Sequence, residues 1–282
     1  MLLADEIVER PRPQPACERR LPLEPPARGL VEEVGHAVSM LRPVSLDATS
    51  RASEVLVDRL EARPGERWLD LATGTGAVAL QAARAGADVT AFDSVEMDGD
   101  LRSDLDQAGV SVRYDVGDVE YLPYDDGEFD VVASNFGFIF ASDHANVAAE
   151  LARVACPGAR LGFTAWKPNP KLGELYRRFT DEPLEGREAT EWGREDHVED
   201  MLGDDFELEF EDGTVWLDAE SGEQLWTLFS SSAPTIVALQ RRLDGDQAEE
   251  FHHAFVGFYE AYREGDRVRV PRRYLLTLGR RR

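Results

Sequence analysis

The chain has 282 residues, 43% of them hydrophobic, and carries 55 acidic against 31 basic side chains for a net charge of -24. That length buries a full core in one large domain with insertions. A field of that sign repels polyphosphate and argues against a nucleic-acid partner, and no apolar run is long enough for a membrane span.

Residues 1–28 carry Pro11, Pro13, Pro15, Pro22, Pro25 and Pro26 amid charge and read as an extended or disordered arm. The opening lacks a basic-then-apolar leader pattern, so a cytoplasmic location is expected. Residues 29–62 then read as two helices, Gly29 to Leu41 and Ser45 to Ala62, the second with Ala52, Val55, Leu56 and Leu60 on one face.

Arg67 to Leu80, RWLDLATGTGAVAL, is the most informative stretch. Trp68, Leu69 and Leu71 make a short strand buried on both faces, and Ala77 to Ala85 reads as the helix packed on it. Between them lie Ala72, Thr73, Gly74, Thr75 and Gly76. Glycine lets backbone approach a ligand, and the helix N-terminus that follows offers unpaired N–H groups. The spelling Gly74-x-Gly76-x-x-Ala79 also satisfies a dinucleotide fingerprint, so by itself the loop leaves a nicotinamide enzyme open.

A second strand, Asp88 to Phe92, ends in Asp93, where a carboxylate can take both hydroxyls of a ribose. A third ends at Gly117-Asp118, and a fourth begins at Phe129. Asp115, Asp125, Asp126 and Glu128 read instead as a solvated loop and turn.

The ordered series Asp70-x-Ala72-x-Gly74-x-Gly76, Asp93, Gly117-Asp118-Val119-Glu120-x-Leu122-Pro123 and Gly127-x-Phe129-Asp130-Val131-Val132 resembles the class I S-adenosylmethionine-dependent methyltransferases. The likeness is to the branch of ubiquinone/menaquinone-type and small-molecule enzymes. It continues through Asn135 to His144, Glu150-Leu-x-Arg153-Val154 and Pro157-Gly158 to Trp166, and more loosely over Pro271 to Gly279.

The resemblance implies the roles that follow. Asp70 lies near the methionine ammonium, with the backbone of Ala72, Thr73, Gly74, Thr75 and Gly76 beneath the amino-acid and ribose portion. Asp93, with Ser94 beside it, holds the ribose. Asp118 accepts from the adenine amino group, Val119 packs on the ring, and Asn135 lines the floor. The family commonly has Gly where Ala72 stands, which implies a slightly tighter loop here.

Methyl transfer needs little machinery beyond alignment of a nucleophile and exclusion of water. If the acceptor must lose a proton, His144, just after the fourth strand, is the candidate base; its other reading is a first-turn helix residue behind Asp143 as N-cap. His36 is a weaker candidate, and His197, His252 and His253 read as surface or packing residues. These histidines with Cys17 and Cys156 lack zinc spacing, so no metal is expected.

Alternation of strand and helix over residues 67–166 predicts an α/β fold, a Rossmann-like doubly wound, mostly parallel sheet forming the cofactor-binding core. Glu195 to Leu202 reads as helix, Phe206 to Phe210 and Thr214 to Leu217 as strand. The last strand, Tyr274 to Leu278, is antiparallel by the resemblance. The helical insert, residues 221–264, is where acceptor specificity is expected; its stripe Phe251, Phe255, Phe258, Tyr259 and Tyr262 reads equally as core or as contact with a second copy, a homodimer.

Residues 29–282 are thus expected to form a single domain. The expected partner is a small-molecule acceptor, with no nucleic acid even at the cluster Arg267, Arg269, Arg272, Arg273, Arg280, Arg281 and Arg282, and no membrane. Two other readings stand beside it: a protein that binds the cofactor for different chemistry, and a nicotinamide-dependent oxidoreductase. Asp70 and Gly117-Asp118 speak against the latter, as does the absence of a Tyr-x-x-x-Lys pair, the lysines being Lys167 and Lys171.

Overall fold

The computed structural model describes residues 42–97, 99–181 and 188–282. The arm at 1–28, the helix expected over Gly29 to Leu41, and His36 lie outside these residues.

Helix α1 (Arg42–Leu60) leads into β1 (Arg67–Leu71), α2 (Ala77–Arg84), β2 (Asp88–Asp93), α3 (Gly99–Ala108), β3 (Arg113–Val116) and β4 (Phe129–Asn135). Then come α4 (His144–Val154), β5 (Ala155–Trp166), α5 (Pro170–Arg177), α6 (Glu195–Leu202) and β6 (Phe206–Ala219). Helices α7 (Gly222–Ser232), α8 (Pro234–Gln240) and α9 (Gly245–Glu260) and strands β7 (Arg263–Glu264) and β8 (Arg267–Arg281) complete the chain.

The strand order is β3-β2-β1-β4-β5-β8-β6, with β7 paired to β8. Strands β1 to β5 are mutually parallel, and β8 runs antiparallel to both β5 and β6. The mostly parallel, doubly wound sheet is as expected. Order reverses between β1 and β4, so the crevice beyond their carboxyl ends is the topological switch point at which ligands of such sheets bind.

Parallel strands covered on both faces must be apolar throughout, and Trp68, Leu69 and Leu71 on β1 and Val131 to Ala133 on β4 are accordingly buried. Leu56 and Leu60 of α1 cross β5 at Gly162, where an added Cβ would meet their methyl carbons at 2.8 to 2.9 Å. A larger residue there would force those leucine methyl groups to shift.

A second apolar cluster belongs to the insert. It gathers Leu225, Phe229, Ile236, Leu239, Phe251, Phe255 and Tyr259 against Leu217, Val268 and Val270 of the late strands. Three members of the aromatic stripe, Phe251, Phe255 and Tyr259, are core residues here, while Phe258 and Tyr262 are partly buried at its margin. Helix α9 starts with a reciprocal capping box, Asp244 accepting from the Gln247 amide and the Gln247 side chain accepting from Asp244 N.

The late strands differ from expectation in length. Phe206 to Phe210 and Thr214 to Leu217 are one continuous strand, and the last strand covers Arg267 to Arg281 rather than Tyr274 to Leu278. The polar stretch Glu211-Asp212-Gly213 reads as a break, yet it stays extended because each residue is paired to β8. Long β8 also holds the basic cluster in strand, where Arg273 pairs with Asp212 at 2.6 Å and Arg281 with Asp205 at 2.9 Å.

Candidate functional site

The glycine loop follows directly from β1. Ala72, Gly74 and Gly76 have φ of 50°, 54° and 75°, so every second residue is left-handed. Such alternation turns the loop tightly at the sheet edge, with the Thr73 amide donating to the Phe92 carbonyl at 3.1 Å and the Gly76 amide to the Thr73 carbonyl at 2.8 Å. Open space surrounds the position where Gly74 would carry a Cβ, whereas a Cβ at Gly76 would strike the Leu101 side chain at 2.3 Å. The first leaves backbone free to meet a ligand; the second fixes the start of α2 against α3.

Two carboxylates bracket the loop. Asp70, fully within the sheet, accepts from Thr73 Oγ1 at 2.5 Å and from the Ala79 amide at 3.0 Å. No cation among the described residues reaches it, and burial pushes its pKa up to about 7, with nearby Asp93 adding repulsion. Asp93, at the end of β2, accepts from the Gly74 amide at 2.7 Å through Oδ2. Among the described residues its Oδ1 has only long contacts, 3.4 Å each, from Ser94 Oγ and the Val95 amide.

Asp118 and Val119 follow β3. Asp118 closes its own turn, Oδ1 accepting from the Glu120 amide at 2.9 Å, and Val119 is partly buried against the main core. The loop that carries them is pinned from α4. Arg153 donates to the carbonyls of Leu122 at 2.9 Å and Tyr124 at 2.6 Å, while Glu150 accepts from the Leu122 amide at 2.7 Å. Glu150 and Arg153 thus hold the Asp118 loop in place, a role that their motif spacing signals but does not explain.

Asn135 at the end of β4 is committed to the chain itself. Its Nδ2 donates to the Thr49 carbonyl at 3.1 Å and its Oδ1 accepts from Thr164 Oγ1 at 2.8 Å, tying α1 to β4 and β5. The next residue, Phe136, has φ of 56°, unusual for a bulky side chain. Strain of that kind persists only where the surroundings impose it. Here the Phe136 amide donates to Thr164 Oγ1 at 3.0 Å and its ring stacks on Trp166 at 3.7 Å and 9°, with Tyr274 edge-on at 5.6 Å. Gly137 then presses on the loop: a Cβ there would meet Ala72 Cβ at 2.6 Å.

Thus the loops after β1 and β4 touch at the switch point. The aromatic group Phe136, Trp166 and Tyr274 was not singled out as a site by sequence reading. Its one signal was membership of Phe136 and Trp166, and more loosely Tyr274, in the motif series.

His144 begins α4 behind Asp143, whose side chain accepts from the Asn146 amide at 2.9 Å as N-cap. Its Nδ1 lies 2.9 Å from His197 Nε2 of α6, and both rings pack on Trp192 at 5.0 and 5.4 Å. Two imidazoles so placed form a hydrogen bond only when at least one is neutral. His252 pairs with Glu223 at 2.8 Å and stacks on Trp226, and His253 is exposed.

Residues 69–163 match the family model described as a methyltransferase domain. Over those residues the chain is similar to methyltransferases of that family. An uncharacterized protein of Mycobacterium tuberculosis is 35% identical over 157 residues, 53% of this chain and 57% of that one. The chain therefore spans little more than half the length of such relatives. A demethylmenaquinone methyltransferase of Thermus thermophilus is 37% identical over 143 residues, 49% of this chain and 65% of the relative.

Among solved structures, the YcgJ protein of Bacillus subtilis shares the fold with a TM-score of 0.54 at 20% identity, over 82% of this chain and 98% of that one. The [4+2]-cyclase SpnF shares it with a TM-score of 0.52 at 22% identity, over 84% and 83%. Both likenesses are of fold, and a shared fold leaves the chemistry open. No described helix of the chain is long and apolar enough to cross a membrane.

Proposed function

We propose that the protein binds S-adenosylmethionine in the crevice between β1, β2 and β4 and transfers its methyl group to a small-molecule acceptor. The observation that carries this is the left-handed alternation Ala72, Gly74, Gly76 held between Asp70 and Asp93 at the switch point.

The residues present fit that cofactor. A buried carboxylate without a cationic partner among the described residues, as at Asp70, gains by receiving a positively charged ligand. Asp93 has Oδ1 available for ribose hydroxyls while Oδ2 fixes the loop. Asp118, Val119 and Ser94 lie around the adenine and ribose portion, and Thr73 and Thr75 contribute loop backbone. Asn135 serves the floor by locking β4 to α1.

When bound, the cofactor supplies a methyl group already activated on a sulfonium. The protein's own contribution is then to orient the acceptor and exclude water. Phe136, Trp166 and Tyr274 form an apolar wall at the carboxyl ends of β4 and β5, and Arg272 lies between Trp166 and Phe229 of the insert. We place His144 as a helix-start and packing residue, since its Nδ1 is engaged by His197. The acceptor is then one that needs no base at that position.

The alternative, a cofactor-binding protein with other chemistry, gains support from the shared fold of a [4+2]-cyclase. Incubation with methyl-labelled S-adenosylmethionine and an acceptor panel separates them. Label transfer with formation of S-adenosylhomocysteine is expected; tight cofactor binding with no transfer to any acceptor would favour the alternative.

A further inference from the structure

Side chains alternate faces along a strand, so Val268, Val270, Arg272 and Tyr274 share one face of β8. Val268 and Val270 are buried in the insert cluster and Tyr274 in the main core. Arg272 therefore occupies an inward position at the seam between two apolar bodies. Tyr274 pairs with Trp166, the last residue of β5, which puts Arg272 just beyond the carboxyl edge of the sheet, the edge that carries the glycine loop.

The guanidinium carbon lies 4.0 Å from the centre of the Trp166 ring and 5.9 Å from that of Phe229. Burial lowers the Arg272 pKa from its ordinary value, with Tyr259 and Tyr176 acting in the opposite direction. No acceptor among the described residues takes a hydrogen bond from it, and none of their carboxylates pairs with it. The outward arginines of the same strand differ: Arg269 faces Asp218 at 3.7 Å and Arg273 faces Asp212 at 2.6 Å.

A guanidinium keeps its charge when buried, and an unpaired buried charge is costly unless a partner arrives. With 55 acids in the chain, none is placed there among the described residues. The residue as a whole remains partly exposed. With Trp166 at 4.0 Å and no acceptor among the described residues, its forked N–H donors are left for an anion.

We propose that Arg272 is the anion-recognition residue of the acceptor site. The acceptor carries a carboxylate that meets the guanidinium edge and an apolar or aromatic body that lies among Trp166, Phe136 and Phe229. This rests on the small-molecule acceptor reading and narrows it to organic acids. It also gives an acidic protein a local means of holding an acidic substrate against its overall field.

The test is calorimetry on the full chain with S-adenosylhomocysteine present, in buffered salt. Probes are benzoate, 4-hydroxybenzoate, indole-3-acetate and decanoate, each against its methyl ester, with phenyl phosphate as the phosphate arm. At least one carboxylate is expected to bind on the order of tenfold or more tightly than its ester, as for a charge-assisted bidentate contact. Arg272→Met should abolish that preference and Arg272→Lys retain part of it, both with unchanged S-adenosylhomocysteine affinity and an unchanged or raised melting temperature.

Equal binding of every acid and its ester, or a preference that survives in Arg272→Met, would overturn the proposal. Selectivity for phenyl phosphate alone would overturn the carboxylate assignment. An Arg272-dependent acid preference without any S-adenosylhomocysteine binding would keep the anion site and sink the methyl-transfer reading instead.

Discussion

Asp93 Oδ2 accepts the Gly74 amide proton at 2.7 Å, so the carboxylate expected to hold a ribose also fixes the shape of the loop beneath it. One residue thereby couples the end of β2 to the loop after β1. Asp93→Ala is expected to weaken S-adenosylmethionine binding by about 1–3 kcal/mol, the range for hydrogen bonds to a charged group. Asp93→Asn, which keeps an acceptor for Gly74, should lose less. Titration of both folded variants checks this, and equal affinity to the parent would remove Asp93 from the site.

Asp70 brings a pH dependence with a definite sign. Its carboxyl is raised to about 7 from an ordinary 3.8, so between those values the native state holds a proton that the unfolded chain has released. Its contribution to stability in the ligand-free protein therefore falls as pH rises through that window and levels off above it. A cationic ligand favours the ionised form. Binding at about pH 6 should then release a proton, and affinity should climb towards about pH 7. Calorimetry in two buffers of different ionisation enthalpy reads the proton directly, and Asp70→Asn should erase the effect.

Ala72 holds φ of 50° without being glycine. A left-handed backbone costs a residue with a Cβ about 1–2 kcal/mol, partly offset by the extra freedom glycine brings to the unfolded chain. Ala72→Gly is expected to raise stability by up to about 1 kcal/mol, measured as a higher denaturation midpoint. A loss of that size would mean that the Ala72 methyl packed against Gly137 matters more than the strain.

Thr277 is fully buried on β8, and its hydroxyl has no hydrogen-bond partner among the described residues. Replacing an unpaired buried hydroxyl by a methyl removes a desolvation penalty of about 1–3 kcal/mol. Thr277→Val should therefore melt higher than the parent, and a lower melting temperature would imply a partner for the hydroxyl.

Much of this was legible because β1 and the middles of β2 and β4 are buried on both faces and leave an apolar signature. Asp70 and Asp93 announce themselves at the crevice ends of β1 and β2, and Asp118 by the Gly117-Asp118 step after β3. The aromatic wall did not, since a left-handed Phe136 looks like any other phenylalanine in sequence, and its stacking on Trp166 depends on the pairing of β4 with β5.

The length of β6 and β8 was hidden for a related reason. The polar middle of β6 is held by pairing to Tyr274, Leu275 and Leu276, and the arginine-bearing first half of β8 by pairing to β6, so neither carries the full signal alone. Arg272 was seen only as one of a basic cluster. Its distinction, an inward place among apolar neighbours, requires the register of β8 against β5.

Isothermal titration of the protein with S-adenosylhomocysteine, with NADH as control and salt present to screen the acidic surface, tests the central claim most directly. Micromolar binding of S-adenosylhomocysteine alone is expected from the loop between Asp70 and Asp93. Binding of NADH alone would contradict it and turn the search to redox substrates.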